Sequence, residues 1–183
     1  MEMNEQELAL ECGKENNLAR KQLYEQYARQ LMTLCIRYVG DREMAEDVLH
    51  DGFIHIFKTI KQFSYQGEGS LKAWLNRVMI NEALGFLRKK NSLVQQEVPM
   101  ETLPDLTDED DDLPAIPKKV LMQFIQELPD GYRTVFNLYV FEEKSHKQIG
   151  EMLGITEHTS SSQFFRAKKI LMKKINDYRK QNQ

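Results

Sequence analysis

The sequence has few of the residues that build disulfide scaffolds or low-complexity chains. Its 183 residues include 2 cysteines, 5 prolines and 9 glycines. Cys12 and Cys35 lack CxxC spacing, so neither a disulfide framework nor a structural zinc site is supported, and we expect reduced thiols. No apolar stretch approaches the roughly 20 residues that a bilayer span needs, and the acidic first residues differ from a basic secretory signal. We therefore expect a cytoplasmic globular protein without cofactor or resident metal.

An overall excess of positive charge is also missing, because 25 Lys and Arg residues stand against 28 Asp and Glu residues. The charges are nevertheless unevenly distributed. Residues 100–117 contain seven acids, three prolines and no basic residue, whereas residues 118–183 carry 12 basic and 7 acidic residues. Residues 61–90 carry six basic and two acidic residues. Two basic segments indicate a polyanion contacted at two places, although solvated helix faces would give the same pattern.

The spacing of apolar residues predicts an all-α fold. Apolar residues recur every three or four positions, and alternating strand patterns bounded by turns are absent. We predict two small helical domains, residues 1–91 and 117–183, joined over 92–116 by a flexible acidic linker with too little apolar surface to fold. The predicted helices span 4–15, 17–38, 42–61, 70–90, 117–127, 131–141, 145–152 and 156–180.

The segment from Ser145 to Thr156 predicts a helix-turn-helix in the second domain. Ser145 is a favourable N-cap for a short helix, Gly154 suits the left-handed position after it, and Thr156 caps the next helix. A helix in the major groove presents its first turns to base edges and later cations to phosphates. An αα-hairpin with a solvated basic face is the alternative. The candidate contacts are His158, Thr159, Ser162, Gln163 and Arg166 for bases, and Lys169 and Lys173 for the DNA backbone.

The helix predicted over 42–61 carries apolar residues on two faces. The stripe that we expect to be buried consists of Ala45, Val48, Leu49, Gly52, Ile56 and Ile60. Phe53, Ile54 and Phe57 lie off this stripe, beside acidic residues and His50. Such a face is more apolar than solvent exposure requires, which favours a face covered by a partner protein. A helix that is buried on two sides is the alternative.

A loop with aromatic residues and glycines follows this helix. The next helix carries two arginines and an asparagine aligned within about 40° of arc at 100° per residue. Aromatic rings beside amide and guanidinium groups are typical of single-stranded DNA binding, because bases stack on the rings. We expect Trp74 to belong to the core instead. The candidate contacts are Phe63, Ser64, Tyr65, Gln66, Arg77, Asn81 and Arg88.

Taken together, these segments resemble the extracytoplasmic-function sigma factors. Residues 43–53 (EMAEDVLHDGF) and 73–81 (AWLNRVMIN) are similar to region 2 of that family. Residues 128–136 (LPDGYRTVF), with QIG at 148–150 and SQFFRA at 162–167, are similar to region 4. The likeness spans about residues 20–90 and 117–178. This sequence departs from the family pattern at His50, usually Gln, at Gly150, often Ala, and at Ser161, frequently Lys.

The resemblance implies a promoter-specificity subunit of bacterial RNA polymerase that performs no catalysis and takes no small-molecule substrate. The aromatic loop, with Arg77 and Asn81, would open the −10 element and capture a flipped base, while region 4 would read the −35 element. An anti-sigma factor, often membrane-anchored, is a further implied partner. The residues that would dock on the clamp helices of the largest polymerase subunit are Asp47, His50, Phe53, Ile54 and Phe57.

Two other function classes fit parts of the sequence. Asp47, His50, Asp51 and His55 have spacings that could gather metal ligands on a helix, as in metal-dependent phosphohydrolases, but further ligands would have to come from other helices. A helix-turn-helix regulator with a helical sensor domain would explain the C-terminal segment and leave the aromatic loop unexplained.

Overall fold

The computed structural model describes residues 3–90 and 116–182. These residues form eight α-helices and no strand, which confirms the predicted all-α fold. The chain divides into two compact units, Met1–Lys90 and Asn91–Gln183. The linker predicted over 92–116 lies outside the described residues, apart from Ile116.

The first unit is a bundle of three helices with a shorter helix packed on it. α2, α3 and α4 pack pairwise against one another, and α1 packs on α2 and on a 3-10 turn that follows α3. The side chains between them, such as Leu31, Ile56 and Leu75, are fully buried, and each contributes roughly 1.5–3 kcal/mol by leaving water. The elements are α1 (Glu5–Gly13), α2 (Asn17–Val39), α3 (Arg42–Thr59), the 3-10 turn (Ile60–Gln62) and α4 (Ser70–Lys89).

Local capping residues fix where α2 ends and α3 begins. Gly40 has a φ of 81°, a left-handed conformation that glycine adopts without steric cost, and its N–H donates to the carbonyl of Ile36. Asp41 then accepts a hydrogen bond from the N–H of Met44 at 2.9 Å. The two adjacent caps therefore reverse the chain within two residues and bring α3 back along α2.

The second unit is built around one long helix. α8 packs against α5, α6 and α7. The core of this unit contains Ile125, Leu128, Tyr132, Ala167 and Leu171. The helices are α5 (Lys118–Gln126), α6 (Asp130–Val140), α7 (His146–Leu153) and α8 (Glu157–Gln181).

A buried arginine of α6 hydrogen-bonds to the backbone of the connection between α5 and α6. Arg133 is 3% exposed, and its guanidinium donates to the carbonyls of Gln126 at 3.0 Å and Leu128 at 2.6 Å. It also pairs with Asp130. Burial lowers the pKa of Arg133, and the neighbouring Asp130 carboxylate opposes that shift. Arg133 therefore donates to the last carbonyl of α5 and to one in the connection that follows it.

α7 and the start of α8 have the predicted helix-turn-helix caps. Ser145 and Gln148 form a reciprocal capping box, Gly154 has a φ of 70°, and Thr156 Oγ1 accepts from the N–H of Thr159 at 3.0 Å. The turn also approaches α7 closely, since a Cβ at Gly150 would lie 2.7 Å from the Ile155 carbonyl oxygen.

Candidate nucleic-acid interface

α3 buries the predicted stripe and one further residue. All six residues of the stripe are buried, which confirms that part of the prediction. Phe53 is also buried, at 5% exposure, with its ring centroid 4.7 Å from that of Tyr24 and 5.9 Å from that of Phe57. The prediction that Phe53 is an exposed anchor is therefore wrong, because Tyr24 of α2 covers this side of α3.

The remaining polymerase-docking candidates lie at the surface of α3. Asp47, His50 and Ile54 are exposed, Ile54 to 41%. Phe57 is half-buried, and the guanidinium carbon of Arg20 lies 5.4 Å from its ring centroid, within the range of a cation–π contact.

A groove of about 710 Å³ lies between α2 and α3. His50 stands on its α3 side, and the buried Phe53 contributes to its lining. The other lining residues combine apolar and charged side chains: Tyr24, Ala28, Arg29, Met32, Thr33, Ile36, Arg42, Glu46 and Leu49.

The aromatic loop exposes most of its candidate residues. Ser64, Tyr65 and Gln66 are exposed, whereas Phe63 is half-buried, with its ring centroid 5.6 Å from that of Trp74. Trp74 is itself half-buried, so it belongs to the core only in part. Phe63 therefore attaches the start of the loop to α4, and the three residues after it are accessible to a ligand.

α4 presents its three candidate residues to solvent. Arg77, Asn81 and Arg88 are all exposed on the aligned face that the helical spacing predicts. α4 begins at Ser70, whose hydroxyl donates to the carbonyl of Gly67 at 2.6 Å. The polar face of α4 therefore begins about two turns after the end of the loop.

α8 buries two of the predicted DNA contacts. Gln163 is 4% exposed, because it lies three residues after Ser160 and four before Ala167, which are both fully buried. Lys169 is 6% exposed, and its ammonium lies 5.2 Å from the ring centroid of Phe165 one turn earlier. Neither side chain is therefore exposed in this structure, in contrast to the expectation that both are available to DNA.

The other candidates on α8 differ in accessibility. His158 and Lys173 are exposed, and Thr159 and Ser162 are half-buried. Arg166 is half-buried, and its Nη1 donates to the hydroxyl of Tyr132 at 3.2 Å. A guanidinium has five N–H groups, so this bond is compatible with a contact to DNA.

Sequence analysis missed two accessible residues on α8. Phe165 is 39% exposed, and Ser161 is exposed. Both share the side of α8 on which His158 lies, at helical spacings of three and seven residues. Helical spacing from His158 places Phe165 on this side, but an apolar side chain carries no sequence signal for a DNA contact.

The two cysteines are buried and free. Burial raises the pKa of Cys12 to about 11 and that of Cys35 to about 12, so both thiols are neutral near pH 7.

No metal-binding cluster occurs in the part of the chain that the structure describes. There, no group of three or more His, Cys, Asp and Glu side chains could hold a metal ion. His55 contacts Glu82 of α4. The phosphohydrolase alternative therefore gains no support from residues 3–90 and 116–182. Within the same residues, no helix is both long and apolar enough to span a bilayer.

Two protein-family models match the chain. The model for Sigma-70 region 2 matches residues 23–93, and the model for Sigma-70 region 4 matches residues 118–171. Together they cover more than half of the chain.

Individual proteins match over most of their length. The ECF RNA polymerase sigma factor SigM of Bacillus subtilis (strain 168) is 26% identical over 153 residues, which cover 82% of this chain and 91% of SigM. SigW of the same strain is 29% identical over 166 residues, which cover 82% of this chain and 86% of SigW. A solved structure of CnrH in complex with the cytosolic domain of CnrY is 17% identical, with a TM-score of 0.48, and covers 93% of this chain and 96% of that one.

Two helical units that carry region 2 and region 4 in this order define a protein of the sigma-70 class. Within that class, the chain belongs to the extracytoplasmic-function sigma factors, as the sequence resemblance predicted. It is a transcription initiation factor whose partners are core RNA polymerase and promoter DNA.

Proposed function

We propose that the two units divide promoter recognition between them. The first unit, hereafter the region 2 unit, binds core polymerase and the −10 element. The second, hereafter the region 4 unit, binds the −35 element. The observation that carries this proposal is that the loop residues 64–66, Arg77 and Asn81, and residues at the start of α8 lie at the surface. The units that carry them match sigma region 2 and sigma region 4 in that order.

The surface of α3 is the proposed polymerase contact. Ile54 exposes 41% of its surface beside Asp47 and His50, and Phe57 is only half-buried. An apolar centre with a charged rim is typical of a protein–protein interface. Its proposed counterpart is the pair of clamp helices of the largest polymerase subunit.

The loop and α4 are the proposed contacts to the opened −10 element. The ring of Tyr65 is accessible for stacking on a base, and the amide of Asn81 is accessible for hydrogen bonds to a base edge. Arg77 and Arg88 lie on the same face as Asn81 and are placed to neutralise phosphates.

The start of α8 is the proposed reader of the −35 duplex. His158, Ser162 and Arg166 supply hydrogen-bonding groups, and the exposed ring of Phe165 suits apolar contact with a thymine methyl group. Thr159 lies on the first turn of α8, where its position also serves the helix cap. Lys173, about four turns further on, suits a phosphate contact.

An anti-sigma factor is the proposed regulatory partner, on the strength of the family resemblance. The groove between α2 and α3 adjoins the proposed polymerase contact, since His50 belongs to both. An anti-sigma segment bound in this groove would therefore compete with polymerase. We infer that the protein acts in the cytoplasm, where polymerase and promoters are found, and that it catalyses no reaction of its own.

The test is a runoff transcription assay with core polymerase and a promoter library. We expect transcripts from a set of promoters that share −10 and −35 sequences, and none from core polymerase alone. A helix-turn-helix regulator would instead bind duplex DNA specifically and leave the transcription of core polymerase unchanged. Specific duplex binding without sigma-dependent transcripts would therefore contradict the proposal.

A further inference from the structure

Arg166, which is proposed to read the −35 duplex, is hydrogen-bonded to a tyrosine of another helix. Its Nη1 donates to the hydroxyl oxygen of Tyr132 at 3.2 Å. Tyr132 lies on the first turn of α6, and Arg166 lies in the first half of α8, so the bond joins two helices. The proposed function assigns no role to Tyr132.

The ring of Tyr132 has a fixed place in the core of the region 4 unit. Tyr132 is 1% exposed and belongs to the same buried cluster as Ile125, Leu128, Ala167 and Leu171. A tyrosine side chain has only two torsions to its ring, and close packing restricts both of them. The hydroxyl at the end of the ring is therefore held at one place beside α8.

The backbone on both sides of this hydrogen bond is also fixed by packing. Arg133, the residue after Tyr132, is buried and donates to two carbonyls at the end of α5 and in the connection after it, so it ties the start of α6 to that segment. On α8, the residue after Arg166 is Ala167, which is fully buried in the same core. The donor and the acceptor therefore both extend from backbone whose position the core determines.

An arginine that reads a base benefits from such a contact. Arginine has a long side chain with many rotamers, and it loses much of this freedom when it is held in one geometry. To read a guanine, a guanidinium directs two of its five N–H groups at O6 and N7 of the base. A guanidinium that is oriented before DNA arrives loses less freedom on binding, and this preorganisation increases affinity for the base that fits.

We propose that Tyr132 is a positioning residue for recognition of the −35 element. Its hydroxyl orients the guanidinium of Arg166 before DNA binds, and it thereby determines how strongly the protein prefers a guanine at the position that Arg166 reads. This inference rests on the proposed function of α8, with Arg166 as one of its base contacts.

The experiment measures the binding of promoter duplexes to the full chain in complex with core polymerase. The probes are a fluorescein-labelled promoter selected in the runoff assay and versions of it with one base pair of the −35 element substituted at a time. Arg166→Ala identifies the base pair whose substitution this variant no longer senses. Tyr132→Phe, which keeps the ring and removes the hydroxyl, should weaken binding of the intact promoter about three- to tenfold, the order expected when one long side chain must be ordered on binding. Its preference at the Arg166 base pair should fall by the same factor, and its preference at the other base pairs should not change.

Three further variants separate orientation of Arg166 from stability of the core. In the Arg166→Ala protein, Tyr132→Phe should cost no further affinity, because the guanidinium that it orients is already absent. Leu171→Val trims the same buried cluster and keeps both Tyr132 and Arg166, so it should lower the melting temperature and leave every base preference unchanged. Tyr178→Phe removes the hydroxyl of a half-buried α8 tyrosine, whose ring centroid lies 6.1 Å from that of Phe124, and it should leave every base preference unchanged.

The outcomes distinguish the inference from the function on which it rests. Wild-type preference at every base pair in Arg166→Ala would overturn the role of Arg166 as a base contact, and the inference with it. If Arg166→Ala loses preference at one base pair while Tyr132→Phe keeps it, or if the two losses add in full, the inference alone is overturned. An equal loss on all duplexes in Tyr132→Phe, or failure of this variant to fold, would assign Tyr132 to the core only and would also overturn the inference alone.

Discussion

Two neighbouring residues of α3 differ in what their substitution should do. Phe53 is 5% exposed between Tyr24 and Phe57, whereas Ile54 is 41% exposed. Phe53→Ser should lower the free energy of unfolding of the region 2 unit by about 3–5 kcal/mol, the usual loss for a buried phenylalanine truncated to alanine. Ile54→Ser removes little buried surface, so it should melt like the wild type and bind core polymerase more weakly.

The measurement combines thermal melting, followed by circular dichroism, with a pull-down by core polymerase. Asp51→Ser, another exposed position of α3, is the control for both readouts. If Phe53→Ser melts at the wild-type temperature, the packing of Phe53 against Tyr24 contributes little. If Ile54→Ser is stable and binds core polymerase normally, Ile54 lies outside the polymerase contact.

Two glycines inside helices differ in the space that their surroundings leave for a side chain. A Cβ at Gly150 would lie 2.7 Å from the Ile155 carbonyl, whereas a Cβ at Gly85 would have nothing within 4 Å. Gly150→Val should therefore force the turn apart and lower the free energy of unfolding of the region 4 unit by about 1–3 kcal/mol. Gly85→Val should change the stability of its own unit by less than about 0.5 kcal/mol, as expected at an unobstructed position.

Urea unfolding monitored by circular dichroism compares each glycine variant with the wild type. Equal stability losses at both positions would indicate a general effect of a β-branched residue in a helix. In that case, the close approach of the turn to α7 would not explain the result.

The errors at the residue scale have a common physical cause. Gln163 lies three residues after Ser160 and four before Ala167 in the sequence. This helical spacing alone assigns Gln163 to their buried face. The burial of Phe53 could not be predicted from spacing, because Phe53 lies at the edge of the α3 stripe and is covered by Tyr24 of another helix. The burial of Lys169 could not be predicted either, because its contact with the ring of Phe165 depends on side-chain conformation. Helical periodicity gives the centre of a face but not the partners at its edges.

At the scale of elements, α8 combines packing and the proposed reading of DNA in adjacent side chains. Phe164 lies in an aromatic cluster, with ring centroids 4.4 Å from Tyr139, 5.9 Å from Phe136 and 5.7 Å from His146. Phe165 is 39% exposed. Phe164→Ala should lower stability by somewhat less than the roughly 3–5 kcal/mol of a fully buried phenylalanine. Phe165→Ala should leave stability nearly unchanged and weaken discrimination of the −35 element.

Electrophoretic mobility shifts with wild-type and mutated −35 duplexes, measured with the holoenzyme, check the effect on DNA. A loss of about 1 kcal/mol at one base pair, restricted to Phe165→Ala, fits the loss of a base contact. A uniform loss at all sequences would instead indicate a phosphate-facing role, for which Lys173→Ala is the positive control. Wild-type discrimination by Phe165→Ala would place another face of α8 in the groove.

The elements themselves were the most predictable level of this structure. All eight predicted helices are present. Two of the connections carry clear local signals, namely Gly40 and Asp41 between α2 and α3, and Gly154 and Thr156 between α7 and α8. A cavity between α1 and the loop was not predictable. It depends on the contact of Gly13 with Lys61 and on the hydrogen bond from the N–H of Gly69 to Glu5, which join residues far apart in the sequence.

At the scale of the whole molecule, each unit has its own buried core and its own proposed DNA element. The core of the region 4 unit includes Tyr132 and Leu171, and that of the region 2 unit includes Leu31 and Leu75. Residues 1–91 and 116–183, produced as separate fragments, should therefore each fold. Covalent connection gives two binding modules an effective concentration of the order of millimolar. Runoff transcription by an equimolar mixture of fragments at about 1 µM should consequently be far weaker than that of the intact chain, and partly restored at higher fragment concentration.

The matched control for this experiment is the full-length chain with the acids of residues 108–112 replaced by Ser and Asn. It preserves chain length and connection, so at moderate salt it should transcribe much as the wild type does, because screening weakens any competition between the acids and DNA. Circular dichroism of each fragment establishes that loss of transcription is not loss of folding. If the folded fragments at about 1 µM transcribe as well as the intact chain, the two promoter elements are bound independently, and the connection contributes nothing to promoter recognition.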